Sequence, residues 1–210
     1  MNKNNILDNY RDWLGHHKMP AGKKKTLAAA IELFSQQGYN GTSTTQIAEK
    51  AGISQATIFK YFKTKSDLLA EIMQPMIPEL KKAFLPQLKK HIQLEDTVHF
   101  IVQDRFKFLA QNADLIKILL QECLVNAQLR QMLLANIKAV IVADFEEYWQ
   151  LLRQNNPQIA NLSALELVRI NAGLLFAYFT QRFILNIPTQ SEADDLSLIE
   201  KQILSLLTLK

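Results

Sequence analysis

Cysteine is nearly absent from this chain: Cys123 is the single one in 210 residues. That excludes an internal disulfide framework and points to a reducing cytoplasm, where a lone thiol serves as a small buried hydrophobe rather than a redox sensor. Glycine is scarce too, with six in all and none after Leu69 until Gly173. No glycine-rich loop is therefore available to cradle a phosphate, and no G-x-S-x-G turn to raise a nucleophile. There is no run of 18 apolar residues and no signal peptide, so neither a membrane span nor export is expected. The histidines His16, His17, His91 and His99 lack a Cys or His partner at helical metal-ligand spacing. No metal, no cofactor and no catalytic constellation is expected, and no repeat or low-complexity tract is visible.

What remains is helical. The apolar content of 48% supports a sizeable core in one or two domains. Beyond Leu69 the apolar residues recur at helical spacing without β-branched alternation, predicting helices near 65–90, 95–110, 113–124, 127–154, 163–185 and 192–208. Pro75, Pro78 and Pro86 should kink or interrupt the first of these. Ser163 with Glu166, and Ser191 with Asp194, mark the starts of the last two. The chain divides into an extension (1–22), a small basic domain (23–70) and a larger all-α domain (71–210).

Charge is distributed unevenly. Residues 1–72 hold ten Lys/Arg against six Asp/Glu, whereas the rest hold 14 of each, so the whole net charge of +4 lies at the amino-terminal end. Such a patch displaces counterions from phosphates. Within it, Ser43 and Gln46 form a capping box that opens a short helix whose Ile47, Ala48 and Ala51 face inward. Gly52 supplies the positive φ that ends this helix, Ile53 fills the corner, and Ser54 caps a second helix. There Ile58 and Phe62 face inward, Ala56 and Lys60 lie opposite, and Thr57 and Phe59 flank them. Two short helices joined by so tight a turn form a helix-turn-helix that reads DNA. Gln55, at the end that enters the major groove, suits adenine, while Ala56 or the Thr57 methyl suits thymine. Gln55, Ala56, Thr57 and Lys60 are expected to read bases, and Thr44, Thr45, Tyr61 and Lys65 to meet backbone or flanking bases. Ser54 and the basic Lys25 complete the expected DNA-binding set. Thr64 and Asp67 make another capping box, so a helix starts at Lys65 with N–H groups suited to a phosphate.

From about Lys23 to Leu69 the chain resembles the tetracycline-repressor (TetR/AcrR) family of bacterial transcription regulators. The resemblance is carried in order and spacing by Ala28, Ala29, Leu33 and Phe34, then Gly38-Tyr39, Thr42-Ser43, Ile47-Ala48, Ala51-Gly52-Ile53-Ser54, Thr57-Ile58-Phe59, Tyr61-Phe62 and Lys65. Phe59 departs from the family's more frequent Tyr, which bonds a phosphate; Phe59 either touches a thymine methyl or packs. The resemblance implies a ligand-responsive homodimeric repressor on a palindromic double-stranded operator. It also implies a carboxy-terminal cavity for an apolar or amphipathic small molecule. Aromatic and flexible candidates for that cavity are Phe100, Phe106, Phe108, Met132, Phe145, Trp149, Phe176 and Phe179, while Asp104, Arg105 and Glu122 are expected to be solvated.

The last two helices are apolar around much of their circumference and need cover on more than one side. Similarity to the family suggests a four-helix dimer interface, with Leu165, Gly173, Phe176, Ala177, Leu196, Ile199, Ile203 and Leu207 as candidates. An all-α enzyme or cofactor-binding protein using the cavity, and an effector-free architectural DNA binder, are the competing classes. In the extension, Ile6, Leu7, Tyr10, Trp13 and Leu14 share one helical face that Gly15 can end. This predicts an extra helix docked through Tyr10 and Trp13, holding His16, His17 and Lys18 near the operator flank.

Overall fold

The computed structural model describes residues 6–140 and 145–208, with backbone only for 76–82 and 136–140. Every described element is helical, in the order α1 (Ile6–His16), α2 (Ala21–Gln37), α3 (Thr44–Ala51), α4 (Gln55–Tyr61), α5 (Lys65–Leu88), α6 (Leu94–Gln111), α7 (Ala113–Val125), α8 (Ala127–Val140), α9 (Glu146–Asn155), α10 (Ala164–Phe179) and α11 (Glu192–Leu207). A π-helical turn, Thr180–Ile184, follows α10 inside the span expected to be one helix. Whether 127–154 is continuous falls on 141–144, outside the described residues.

Two compact units form. One joins the chain up to Leu80 with Asp114–Leu134; the other joins Lys81–Ala113 with the chain from Ala135 onward. The helix-turn-helix therefore shares its unit with α7 and the start of α8.

The extension is helical and docked. Ile6, Tyr10 and Leu14 are buried and Trp13 half-buried, as the apolar stripe requires. An isolated helix of 11 residues is marginal in water, whereas burying each large side chain contributes about 1.5–3 kcal/mol, so docking rather than propensity holds α1 in place. Gly15 does not end the helix, which continues through His16. His16 and His17 instead turn their Nδ1 atoms toward the carbonyls of Asp12 and Trp13, both at 2.8 Å. Lys24 of α2 donates to the Gly15 carbonyl at 3.1 Å and the His17 carbonyl at 3.4 Å, a favourable place for a cation.

Pro75, Pro78 and Pro86 do not interrupt α5. Each removes one donor, but the helix is anchored before Pro75 by buried Leu68, Leu69, Ile72 and Met73 and on either side of Pro86 by Leu85 and Leu88. Tertiary burial overrides local propensity here.

In the second unit, α6, α9, α10 and α11 enclose a core that includes Val98, Val102, Phe106, Tyr148, Trp149, Leu167, Leu175, Ile199 and Ile203. Its edge is polar and satisfied. The Tyr178 hydroxyl donates to Asp195 at 2.8 Å and accepts from Arg182 at 3.0 Å, and Thr189 donates to the same carboxylate. These bonds hold Asp195 below the usual carboxylate range and pin the end of α10 to the start of α11.

Candidate functional site

The reading head is built by caps. The Ser43 hydroxyl accepts from the Gln46 N–H at 3.2 Å while the Gln46 side chain accepts from the Ser43 N–H at 2.8 Å. Gly52 takes the left-handed conformation, φ 63°, and its N–H closes on Glu49 at 3.1 Å. A side chain there would be strained. The Ser54 hydroxyl accepts from the Thr57 N–H at 3.2 Å to start α4. Ile47 and Ile58 are wholly buried and Phe62 nearly so, fixing α4 against α2 and α3.

With its inner face so fixed, α4 presents Gln55, Ala56, Phe59 and Lys60 to solvent. Phe59 is 49% exposed, so it does not pack inward; an exposed aromatic on a reading helix is free to meet a thymine methyl. Gln55 donates to the Thr45 hydroxyl in a close contact, which orients it across the mouth of the two helices. Thr57 and Tyr61 are half-buried, and a Cβ on Gly22 would sit 3.2 Å from the Thr57 methyl and 3.3 Å from the Tyr61 ring. Those two side chains thus pack on the start of α2, with the Thr57 hydroxyl against Ser54 at 2.9 Å. Thr44 is half-buried, whereas Thr45, Ser54 and Lys25 are exposed.

Lys65 departs from expectation. Its ammonium donates to the Tyr39 carbonyl at 2.7 Å and the Thr42 carbonyl at 3.0 Å, and sits 4.1 Å from the Tyr39 ring centroid. Burial pushes the amine below its ordinary value. It clasps the α2–α3 loop to α5 instead of offering itself to a phosphate. The start of α5 is occupied as well: Asp67 accepts from the Thr64 N–H at 2.9 Å and the Thr64 hydroxyl from the Asp67 N–H at 3.1 Å. The chain's own carboxylate fills the place proposed for an anion. Next to it, Ser66 bonds Tyr39 at 3.2 Å and donates to Glu122 of α7, so Glu122 is a structural partner of the head.

The second unit holds a cavity of about 420 Å³. Ile101, Arg105, Phe108 and Leu109 of α6 face Val168, Asn171, Ala172, Leu175 and Phe176 of α10, with Phe84 and Phe145 completing the walls. Of the expected pocket residues, Phe108, Phe145 and Phe176 line it. Phe106 and Phe179 are wholly buried in the core, Trp149 donates its indole N–H to the Leu162 carbonyl at 3.1 Å, and Phe100 lies on a separate groove beside His91. Met132 belongs to the stretch of α8 grouped with the head. Large aromatics fill cores because they bury most area, so type alone does not separate core from cavity.

Arg105 is the reverse case, expected in solvent and found in the wall. Its guanidinium lies 3.9 Å from the Phe84 ring centroid and 5.2 Å from that of Phe108, bonded through Nε to Asp104 at 2.8 Å and through Nη2 to the same oxygen. Burial lowers its pKa from the ordinary value, opposed by Asp104. The signal was present in the sequence: a lone cation set among Ile101, Phe108 and Leu109 at i, i+4, i+7 and i+8 of one helix face.

The expected dimer residues split in two. Leu165 (66% exposed) and Phe176 (43%) are presented outward, and a Cβ on Gly173 meets nothing within 4 Å. Ala177 is exposed alongside them. Leu196, Ile199, Ile203 and Leu207 are instead buried in their own unit. The exposed large apolar residues of α11 are Leu198 and Leu206. Cys123 is half-buried, and burial pushes its thiol up.

This geometry defines a helix-turn-helix DNA-binding module. Residues 27–72 match the family model described as bacterial regulatory proteins, tetR family. It is 46% identical over 50 residues to an uncharacterised HTH-type transcriptional regulator, YvkB, of Bacillus subtilis (strain 168), covering 24% of this chain and 26% of that protein. The chain spans about a quarter of the length of the curated relatives it matches. Solved structures extend the likeness of fold to both units. The regulator FadR from Bacillus subtilis in complex with stearoyl-CoA superposes with TM-score 0.63 at 20% identity, over 88% of this chain and 96% of that one. FadR from Thermus thermophilus in complex with lauroyl-CoA gives 0.62 at 20% identity, over 90% and 96%. Among the described residues no helix is long and apolar enough to cross a membrane.

Proposed function

We propose that the chain is a ligand-responsive transcriptional repressor that binds a palindromic operator as a homodimer in the bacterial cytoplasm. The observation that carries this reading is α4: a short helix, capped and buried on one side, that presents Gln55, Ala56, Phe59 and Lys60 on the other. Phosphate contacts fall to exposed Lys18, Lys25, Lys60 and Lys63. Two heads are needed to read two half-sites, and the outward strip of Leu165, Gly173, Phe176 and Ala177 on α10, with Leu198 and Leu206 on α11, supplies an apolar face for pairing.

The cavity between α6 and α10 is the effector site, and the acyl-CoA complexes of proteins with this fold support an apolar or amphipathic occupant. Phe176 lines the cavity and also stands on the pairing strip, so a ligand there alters the face on which the dimer is built. Release follows only if the ligand binds the form unfit for DNA more tightly than the fit one. Selection of the full-length protein against a randomised duplex library is the test. An inverted repeat with half-sites about one helical turn apart is expected, and enrichment of no repeat overturns the reading. Gly173→Trp should reduce the assembly to monomer by light scattering and abolish tight operator binding.

A further inference from the structure

Among the described lining residues Arg105 is the one charged side chain, the Asn171 amide being the other polar group, and its present partner is its own neighbour on the helix. Asp104 and Arg105 are consecutive on α6, and neighbours i and i+1 on a helix do not face each other. The two side chains meet at the rim, where each keeps under a third of its exposure, 29% for Asp104 and 28% for Arg105. Asp104 itself faces the groove on the other side of α6, with His99 and Gln103, and contributes nothing to the cavity wall. A carboxylate arriving from the cavity meets the same guanidinium from the side that Arg105 lines and Asp104 does not. It also meets the requirement that a half-buried cation keep a counter-charge. Phe84, stacked beneath the guanidinium, holds the planar donor in place at the rim. Behind it, Phe108, Leu109, Phe145, Val168, Ala172 and Leu175 offer hydrocarbon, and the Asn171 amide, whose Nδ2 donates to the Leu167 carbonyl at 2.9 Å, is the other polar group in the described lining. The volume of about 420 Å³ lies at the lower end for ligand pockets, enough for a chain and a small head and too small to enclose a nucleotide as well.

We propose that the effector is a single-headed anionic amphiphile, an alkyl chain ending in a carboxylate, whose head takes Arg105 from Asp104 while its chain fills the space between α6 and α10. Asp104 is then an internal competitor that keeps the cation compensated when the site is empty and sets a threshold for binding. This rests on the reading of the cavity as the effector site, and it is tested without DNA so that the two stand or fall separately.

Full-length protein is titrated calorimetrically with dodecanoate, dodecan-1-ol, dodecyltrimethylammonium and dodecanoyl-CoA, each below its micellar concentration. Dodecanoate is expected to bind about tenfold to a hundredfold more tightly than the alcohol, the range a charge-assisted pair gives, and the cation more weakly than either. Arg105→Met should erase the advantage of dodecanoate and leave the alcohol unchanged, Arg105→Lys should restore part of it, and Asp104→Asn should tighten dodecanoate alone. A merely structural pair would shift all four ligands together, which overturns the proposal. Equal binding of acid and alcohol, preference for the cation, or binding of dodecanoyl-CoA without dodecanoate does so too. An operator selection that fails while these binding differences appear sinks the regulatory reading and leaves the ligand class intact.

Discussion

Replacing Lys65 by Met separates two roles that sequence alone assigns to one lysine. The substitution keeps the aliphatic stem and removes the ammonium that donates to the Tyr39 and Thr42 carbonyls at 2.7 and 3.0 Å. A hydrogen bond to a charged group contributes about 1.5–3 kcal/mol and a partly exposed cation–π contact about 0.5–1 kcal/mol. The desolvation that lowers the amine's pKa opposes both and is recovered on substitution, so the net loss should be about 2–3 kcal/mol. For a chain of this length that lowers Tm by roughly 4–12 °C, readable by calorimetry. The salt dependence of operator binding should keep its slope, because no phosphate loses a partner. A slope flattened by about 1.8, the share of one phosphate in each of two heads, with melting unchanged would refute the assignment and return Lys65 to the DNA.

The remaining expectations are more local. Gln55→Ala should cost about 1–3 kcal/mol at one operator position in a panel of single-base variants, and equal loss on cognate and scrambled duplex would remove Gln55 from base reading. Tyr10→Phe should raise stability by about 1 kcal/mol in denaturant melts, because the Tyr10 hydroxyl is buried without a hydrogen-bond partner among the described residues; a loss of stability would refute this. Burial of Tyr39 pushes its phenol up to about 12, with the nearby Glu122 carboxylate acting in the same direction and the hydrogen bond shared with Ser66 against it. A raised pKa means the folded head favours the neutral phenol, so this contribution is intact below pH 10 and is lost as pH rises toward 12. Alkaline melts should show that loss, and Tyr39→Phe should flatten it.

Local chemistry was legible in the sequence because its determinants lie within a few residues of each other. Ser43 with Gln46, Gly52, Ser54, Thr64 with Asp67, and Ser163 with Glu166 announce helix ends whose geometry follows directly. The α1 stripe was readable for the same reason. What escaped depends on partners far along the chain. Lys65 meets carbonyls 26 and 23 residues away, and nothing at position 65 says so. Residues 196, 199, 203 and 207 fall on one helical face whose period announces burial without saying against what. The core claimed that face, leaving Leu198 and Leu206 for any partner. The prolines of α5 show the converse, a local signal overruled by flanking burial.

Charge counting carries the same lesson to function. The excess on residues 1–72 suggests ten cations facing phosphate, yet the fold commits several elsewhere. Lys23 pairs with Glu71 at 2.8 Å, Lys50 with Glu32 at 2.6 Å and Arg11 with Asp8 at 3.4 Å, while Lys24 caps α1 and Lys65 clasps the α2–α3 loop. Among the described residues that leaves exposed Lys18, Lys25, Lys60 and Lys63. Two heads so equipped displace counterions from at most about eight phosphates, so the slope of log K against log salt should be no steeper than about −7. Binding of a selected operator measured between 50 and 200 mM salt, on the order of the range where such slopes are read, decides this. A slope near −10 would require the internal pairs to open on DNA. Substituting Glu71 or Glu32 by Gln should then raise affinity by freeing Lys23 or Lys50, whereas under the present assignment those substitutions leave the slope where it was.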